Sequence, residues 1–245
     1  MKKYVLALIL LSFVFRVDLT LAKDKIAVLI ENQFDQNELA AINDFFPVNG
    51  YQVDLVSHLW GQSELTFIGN DNKTSVRVTL EINNINPNDY KGIILIGGYA
   101  MDRLRYEANP RKNQPNMAPA VKFMREVFRQ RITVGAICHG LILLTVDPYF
   151  LGGKKVTAAH NIIYDIINIG GVVEYNENGG TKDVVIFGNL VTAKHPDVVK
   201  SFLISFLNTI KNRSCYCELS GWNPHGGPYF SPSCGDVSKV FHSQI

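Results

Sequence analysis

The run Ile93-Ile94-Leu95-Ile96, closed by Gly97-Gly98, narrows the fold more than any other segment of the chain. A strand with one face in water alternates apolar and polar residues. One with no polar position in four is covered on both faces, as central strands of parallel sheets are. Apolar, β-rich runs over Lys25–Ile30, Tyr51–Val56, Gly92–Ile96, Ile132–Ile137 and Lys155–Thr157 are interleaved with helix-period segments near Gln36–Phe46, Ala118–Arg129, from His139 onward and near Asn161–Ile169. That alternation builds βαβ units, so the chain reads as α/β, with a mostly parallel central sheet and helices on both faces. Ser75–Leu80 alternates and predicts a half-exposed edge. Asp183–Phe187 and Leu190–Ala193 flank Gly188-Asn189 and predict a tight hairpin. Pro196 opens a last helix near Asp197–Ile210. Gln62–Lys73 and Tyr106–Asn116 read as loops.

The two ends stand apart from this rhythm. Lys2-Lys3, an apolar run from Tyr4 to Phe15 and the small-residue site Thr20-Leu21-Ala22 form the three regions of a cleavable export signal over residues 1–22. The apolar run is too short for a permanent membrane anchor, which takes about 20 residues. The predicted location is therefore secreted or periplasmic. Residues 23–211 form the α/β domain, and residues 212–245 an extension rich in Cys, Gly, Pro, Ser and Asn. In an exported chain disulfides persist, and Cys234 is expected to pair with Cys215 or Cys217, which lie too close together to pair with each other. A net charge of +2 with no basic stripe argues against nucleic-acid partners.

In an open parallel sheet, ligands bind beyond the carboxyl ends of the strands. Cys138 sits there, in Val134-Gly135-Ala136-Ile137-Cys138-His139-Gly140, where a strand turns at once into a helix. Glycines on both sides permit the tight elbow that lifts a nucleophile into the open, and a helix start lowers a thiol below its free value of about 8.5. Partners lie at other strand ends. Asp35 and Glu38, three apart at a helix start, place two carboxylates on one face, either as groups acting on the thiol and its substrate or as acids countering the helix dipole. Gly97-Gly98 offers bare amides that, with the amide of His139, can stabilise an oxyanion. Asp102 can orient a histidine. His139, His160 and His195 compete as general base, and His195 with Asp197 reads equally as a base with its orienter or as a helix cap. No HExxH or paired CxxC is present, and neither a metal nor any other cofactor is expected.

Ala136-Ile137-Cys138-His139-Gly140, Ile96-Gly97-Gly98 and Phe34-Asp35-Gln36-Asn37-Glu38 together resemble the ThiJ/PfpI family of the class I glutamine-amidotransferase-like superfamily, over roughly Lys25 to Lys211. The resemblance implies a flavodoxin-like three-layer sandwich. It implies Cys138 as elbow nucleophile, Glu38 as the carboxylate touching its sulfur, and the backbones of Gly98 and His139 as the oxyanion hole. In the peptidase branch His139 pairs with an acid from a neighbouring subunit, a place that Asp102 matches, which implies a homodimer or higher homo-oligomer. In the deglycase branch a histidine near His160 faces the thiol. Ala159, often Tyr in peptidases, offers no hydroxyl. The expected function is a cysteine-dependent hydrolase or lyase acting on a small carbonyl, glycated group or peptide. The alternatives are a redox sensor or chaperone using the same cysteine, and a catalytically silent secreted interaction module.

Overall fold

The computed structural model describes residues 23–219. Eleven strands and six α-helices follow one another as β1 (Lys25–Leu29), α1 (Gln36–Val48), β2 (Gln52–Ser57), β3 (Leu65–Ile68), β4 (Ser75–Val78), β5 (Leu80–Glu81), β6 (Gly92–Leu95), α2 (Ala100–Leu104), α3 (Pro119–Arg129), β7 (Thr133–Ile137), α4 (Pro148–Leu151), β8 (Lys155–Val156), α5 (Ile163–Asn168), β9 (Val172–Val173), β10 (Val184–Phe187), β11 (Leu190–Ala193) and α6 (Val199–Leu219). Seven strands form one sheet in the order β10-β11-β7-β6-β1-β2-β5. Every neighbouring pair is parallel except β10–β11, the hairpin around Gly188. Residues 1–22, expected to form an export signal, and Cys234 lie outside the described residues, as do the side chains of Cys215 and Cys217.

The chain runs outward from β1 to β2 and β5, then returns to β6 and proceeds to β7 and β11 on the other side. β1 and β6 are thus the adjacent strands at which the order reverses, and the crevice above their carboxyl ends is where such sheets hold ligands. β6 and β7 are buried at every position, which is why Ile93–Leu95 carries no polar residue. Two glycines let α6 lie directly on them. A Cβ on Gly92 would reach 2.5 Å from the ring of Phe206, and one on Gly135 would reach 2.7 Å from that of Phe202. Phe206 in turn meets Phe46 of α1 edge-on, at 6.0 Å between ring centres, so α1 and α6 share one layer.

Two expectations are corrected. Ser75–Val78 is not an edge of the main sheet but pairs antiparallel with Leu65–Ile68, inside the segment read as the Gln62–Lys73 loop. Its alternation is satisfied in this small ribbon, where Phe67 and Val78 turn inward, and the sheet edge falls to Leu80–Glu81. Lys155–Val156 joins Val172–Val173 in a separate two-stranded parallel pair. Among the described residues, no helix is long and apolar enough to cross a membrane.

Candidate active site

Cys138 follows β7 directly and has φ +55°, a left-handed conformation that costs a non-glycine residue about 1–3 kcal/mol. The surroundings enforce it. A Cβ on Gly140 would strike the Leu95 carbonyl, so the chain leaving Cys138 presses onto the end of β6. The backbone N–H groups of His139 and Gly98 both lie near enough to the Cys138 sulfur to draw its proton affinity down. These are the two amides assigned to the oxyanion hole, and they converge on the thiol. Gly98 has φ +71°, and a side chain there would enter the Gln33 carbonyl; this close approach holds the β6 loop against the β1 loop and aims its amide.

Glu38 is wholly buried in the first turn of α1, and its Oε2 accepts from the Gly97 amide at 2.6 Å. The space that a Gly97 side chain would fill lies between the acid and the cysteine, since a Cβ there would fall 2.6 and 2.8 Å from the two Glu38 oxygens and 2.9 Å from the Cys138 Cβ. Glu38 Oε1 is buried without a hydrogen-bond partner. Burial, and then the charge of Asp35, hold Glu38 well above the usual carboxylate range, against the pull of the Gly97 amide. Asp35 takes the structural role of the pair: its Oδ1 accepts from the amides of Asn37 and Glu38 at 2.9 and 3.0 Å and caps α1.

The expected lowering of the thiol is reversed. Burial, and then Glu38, push Cys138 up to about 12, outweighing the His139 and Gly98 amides. The segment Cys138–Val146 is a nine-residue 3₁₀ helix rather than the expected α-helix. Cys138 is therefore held as a neutral thiol, and Glu38 is the titratable neighbour whose charge acts on it most strongly.

The three histidines separate clearly. The Nε2 of His139 lies 3.6 Å from Asp102 Oδ2 of the same chain, and its ring meets Tyr99 edge-on at 5.5 Å. The pairing for which the resemblance invokes a neighbouring subunit is thus made within one chain, because α2 packs against the segment carrying His139. His160 is exposed at the start of a 3₁₀ turn; the contact nearest the thiol is the Ala159 amide, which donates to the Cys138 carbonyl at 3.3 Å. His195 is half-exposed, and its Nδ1 lies 3.2 Å from the Asp197 amide and 3.0 Å from the Asp197 carboxylate. It caps the turn before α6 and touches no other site residue, so the cap reading holds for His195 and Asp197.

The sequence reading missed a cavity of about 700 Å³ beside this site, lined by Glu31, His58, Trp60, Tyr99, Asp102 and Arg103, among others. Its signal was available. His58 directly follows β2 as Cys138 follows β7, and the rule that ligands bind at strand ends applies equally there. Among the described residues, no three His, Cys, Asp or Glu side chains gather to hold a metal ion.

Comparison with known proteins agrees with this geometry. The DJ-1/PfpI family matches residues 24–209. Protein/nucleic acid deglycase 2 of Escherichia coli is 30% identical over 178 residues, spanning 73% of this chain and 92% of its own. Deglycase PfpI of Pyrococcus furiosus is 29% identical over 187 residues, spanning 76% and 99%. The solved structure of DJ-1 from Schizosaccharomyces pombe superposes with a TM-score of 0.58 at 18% identity, covering 80% of this chain and 98% of that one, a likeness of fold. With a family match over most of its length, an elbow cysteine and a flavodoxin-like sheet, the chain belongs to the DJ-1/PfpI family.

Proposed function

We propose that the protein is an exported cysteine-dependent hydrolase or lyase acting on small carbonyl compounds and their adducts with amines, with Cys138 as nucleophile and Glu38 as its base. The observation that carries this is the grouping of three elements about one sulfur: the amides of Gly98 and His139 draw its proton affinity down, and the buried Glu38 carboxyl lies across the space that a Gly97 side chain would fill. A carboxylate whose proton affinity is raised by burial is a competent acceptor for a thiol proton near neutral pH. As the sulfur attacks a carbonyl carbon, the S–C bond forms, the thiol proton passes to Glu38, and the carbonyl π pair becomes an oxyanion. The Gly98 and His139 amides beside the sulfur would receive that oxyanion, so a donor pair already in position stabilises the developing charge. His139, held near Asp102, serves the later proton transfers.

The deglycase names of the E. coli and P. furiosus relatives favour the carbonyl branch over peptidase chemistry, and Ala159 lacks the hydroxyl often found there in peptidases. Export rests on the residue 1–22 segment. The test is the Cys138→Ser variant assayed on methylglyoxal, on methylglyoxal adducts of amines and on peptides. Loss of carbonyl turnover with peptides untouched in both forms is the expected result; retained turnover removes the nucleophile assignment. The partnerless Oε1 of Glu38 also favours a second reading, in which an oxidised sulfur is held by the protonated acid. Selective oxidation of Cys138 by mild peroxide, without carbonyl turnover, would establish that instead.

A further inference from the structure

The cavity that Tyr99 and Asp102 share with the site has a wall of three exposed rings, Trp60 at 54%, Tyr99 at 58% and Tyr106 at 58%. Glu31, only 7% exposed, lines it, and its Oε1 accepts from the Asn32 amide at 2.8 Å. Arg103 lines it too, exposed, its guanidinium without a hydrogen bond or ion pair among the described residues. Burial raises the Glu31 carboxyl, and after the Asn32 amide the charges of Arg103 and His58 draw it back down, so the acid and the guanidinium sense each other without meeting. The two other charged or chargeable side chains besides the tyrosines, His58 and Asp102, face partners of their own, although the buried Asp102 Oδ2 makes no hydrogen bond. His58 Nδ1 lies 3.1 Å from Glu81 and its ring 4.4 Å from Trp60, while Asp102 faces His139 at 3.6 Å and Arg105 at 3.8 Å.

We propose that this cavity binds a free α-amino acid as a zwitterion, its ammonium group on Glu31, its carboxylate on Arg103 and its side chain against Trp60 and Tyr99. A ligand with only a positive charge meets repulsion from Arg103, and one with only a negative charge meets the buried acid. Two unpaired opposite charges across an aromatic wall suit a molecule that carries both. The volume of about 700 Å³ suits an occupant of this size or somewhat larger, small-molecule sites spanning about 300–1,000 Å³. Tyr99 and Asp102 both line the cavity and both face His139, so the occupant lies next to the reacting centre. That its amine is the one carrying the attacked carbonyl rests on the function proposed above; the binding itself does not.

The test uses the full chain with Trp222→Phe, which leaves Trp60 as sole tryptophan reporter. L-phenylalanine is titrated beside phenethylamine, phenylpropionate and N-acetyl-L-phenylalaninamide, which keep the ring and lack one or both charges. Saturable quenching by L-phenylalanine is expected, with each analogue about tenfold weaker or worse, and a similar loss in Glu31→Gln and Arg103→Gln, as lost charged contacts imply. Cys138→Ala is expected to bind like the parent, so failure of the proposed chemistry leaves this result standing. Equal binding of any analogue, undiminished binding in Arg103→Gln, or no saturable signal at millimolar concentration overturns the proposal. Arg103 is exposed, so that variant stays informative even if Glu31→Gln folds poorly.

Discussion

Gly97→Ala is the substitution through which the site is most directly perturbed. Nothing in the local backbone demands glycine, since φ at this position lies outside the left-handed region; the demand comes from contact alone. The new methyl would fall 2.6 and 2.8 Å from the Glu38 oxygens and 2.9 Å from the Cys138 Cβ, so acid and thiol must move apart by several tenths of an ångström. Overpacking of this kind costs about 1–3 kcal/mol. Stretching the 2.6 Å bond from the Gly97 amide to Glu38 adds up to about 1.5–3 kcal/mol, the worth of a bond to a charged acceptor. A total of about 2.5–6 kcal/mol leaves all but the least stable domains, whose range is about 5–15 kcal/mol, folded at 25 °C. Displacement of the base from the nucleophile lowers carbonyl turnover by about 100-fold. Gly92→Ala is the control: its methyl meets Phe206 at 2.5 Å, a clash of similar size in the core beneath α6. Urea unfolding should show both variants destabilised, whereas methylglyoxal consumption should collapse only in Gly97→Ala. Parallel loss of activity in the two, or normal turnover in Gly97→Ala, would refute the claim that Gly97 sets the spacing of Glu38 and Cys138.

Asp35→Ala should cost about 1–2 kcal/mol in urea unfolding through loss of the two capping bonds, and Asp35→Asn, which keeps the acceptor, much less. Glu38 is protonated in the fold at pH values where the unfolded chain has already ionised it, so the native state binds the extra proton. Stability should therefore fall as pH rises above the ordinary value of 4.5, and Glu38→Gln should flatten that slope in urea midpoints measured across pH. Asp102→Asn should lower kcat about tenfold with KM little changed, because it acts through His139, while thiol labelling at Cys138 stays at its parent rate.

How much of this was legible in the sequence depends on range. β6 and β7 announce themselves because burial on both faces leaves no polar residue, and the β10–β11 hairpin because Gly188-Asn189 joins two short runs. The Cys138 elbow and Gly97-Gly98 were readable for a related reason, as close backbone approach selects residue types locally. The Ser75–Val78 strand was visible as a strand but not as half of a ribbon, since alternation reports one buried face and not what covers it. The thiol was misjudged because its proton affinity is set by depth and by Glu38, one hundred residues away in sequence, rather than by the elbow. Asp102 and His139 are 37 positions apart, and only the docking of α2 shows that a single chain supplies both. His58 and Glu81, from two neighbouring strand ends, were missed because neither belongs to a motif.

The central claim is that Glu38 both raises the Cys138 thiol and serves as its base, and the pH dependence of iodoacetamide labelling at Cys138, read by mass spectrometry alongside methylglyoxal turnover, tests it most directly. In Glu38→Gln the carboxylate charge is gone from beside the sulfur, so the labelling midpoint should move below that of the parent, whose thiol is pushed up to about 12, while turnover falls by at least about 100-fold for want of a base. A midpoint that stays or rises, or turnover that survives the substitution, would contradict the account.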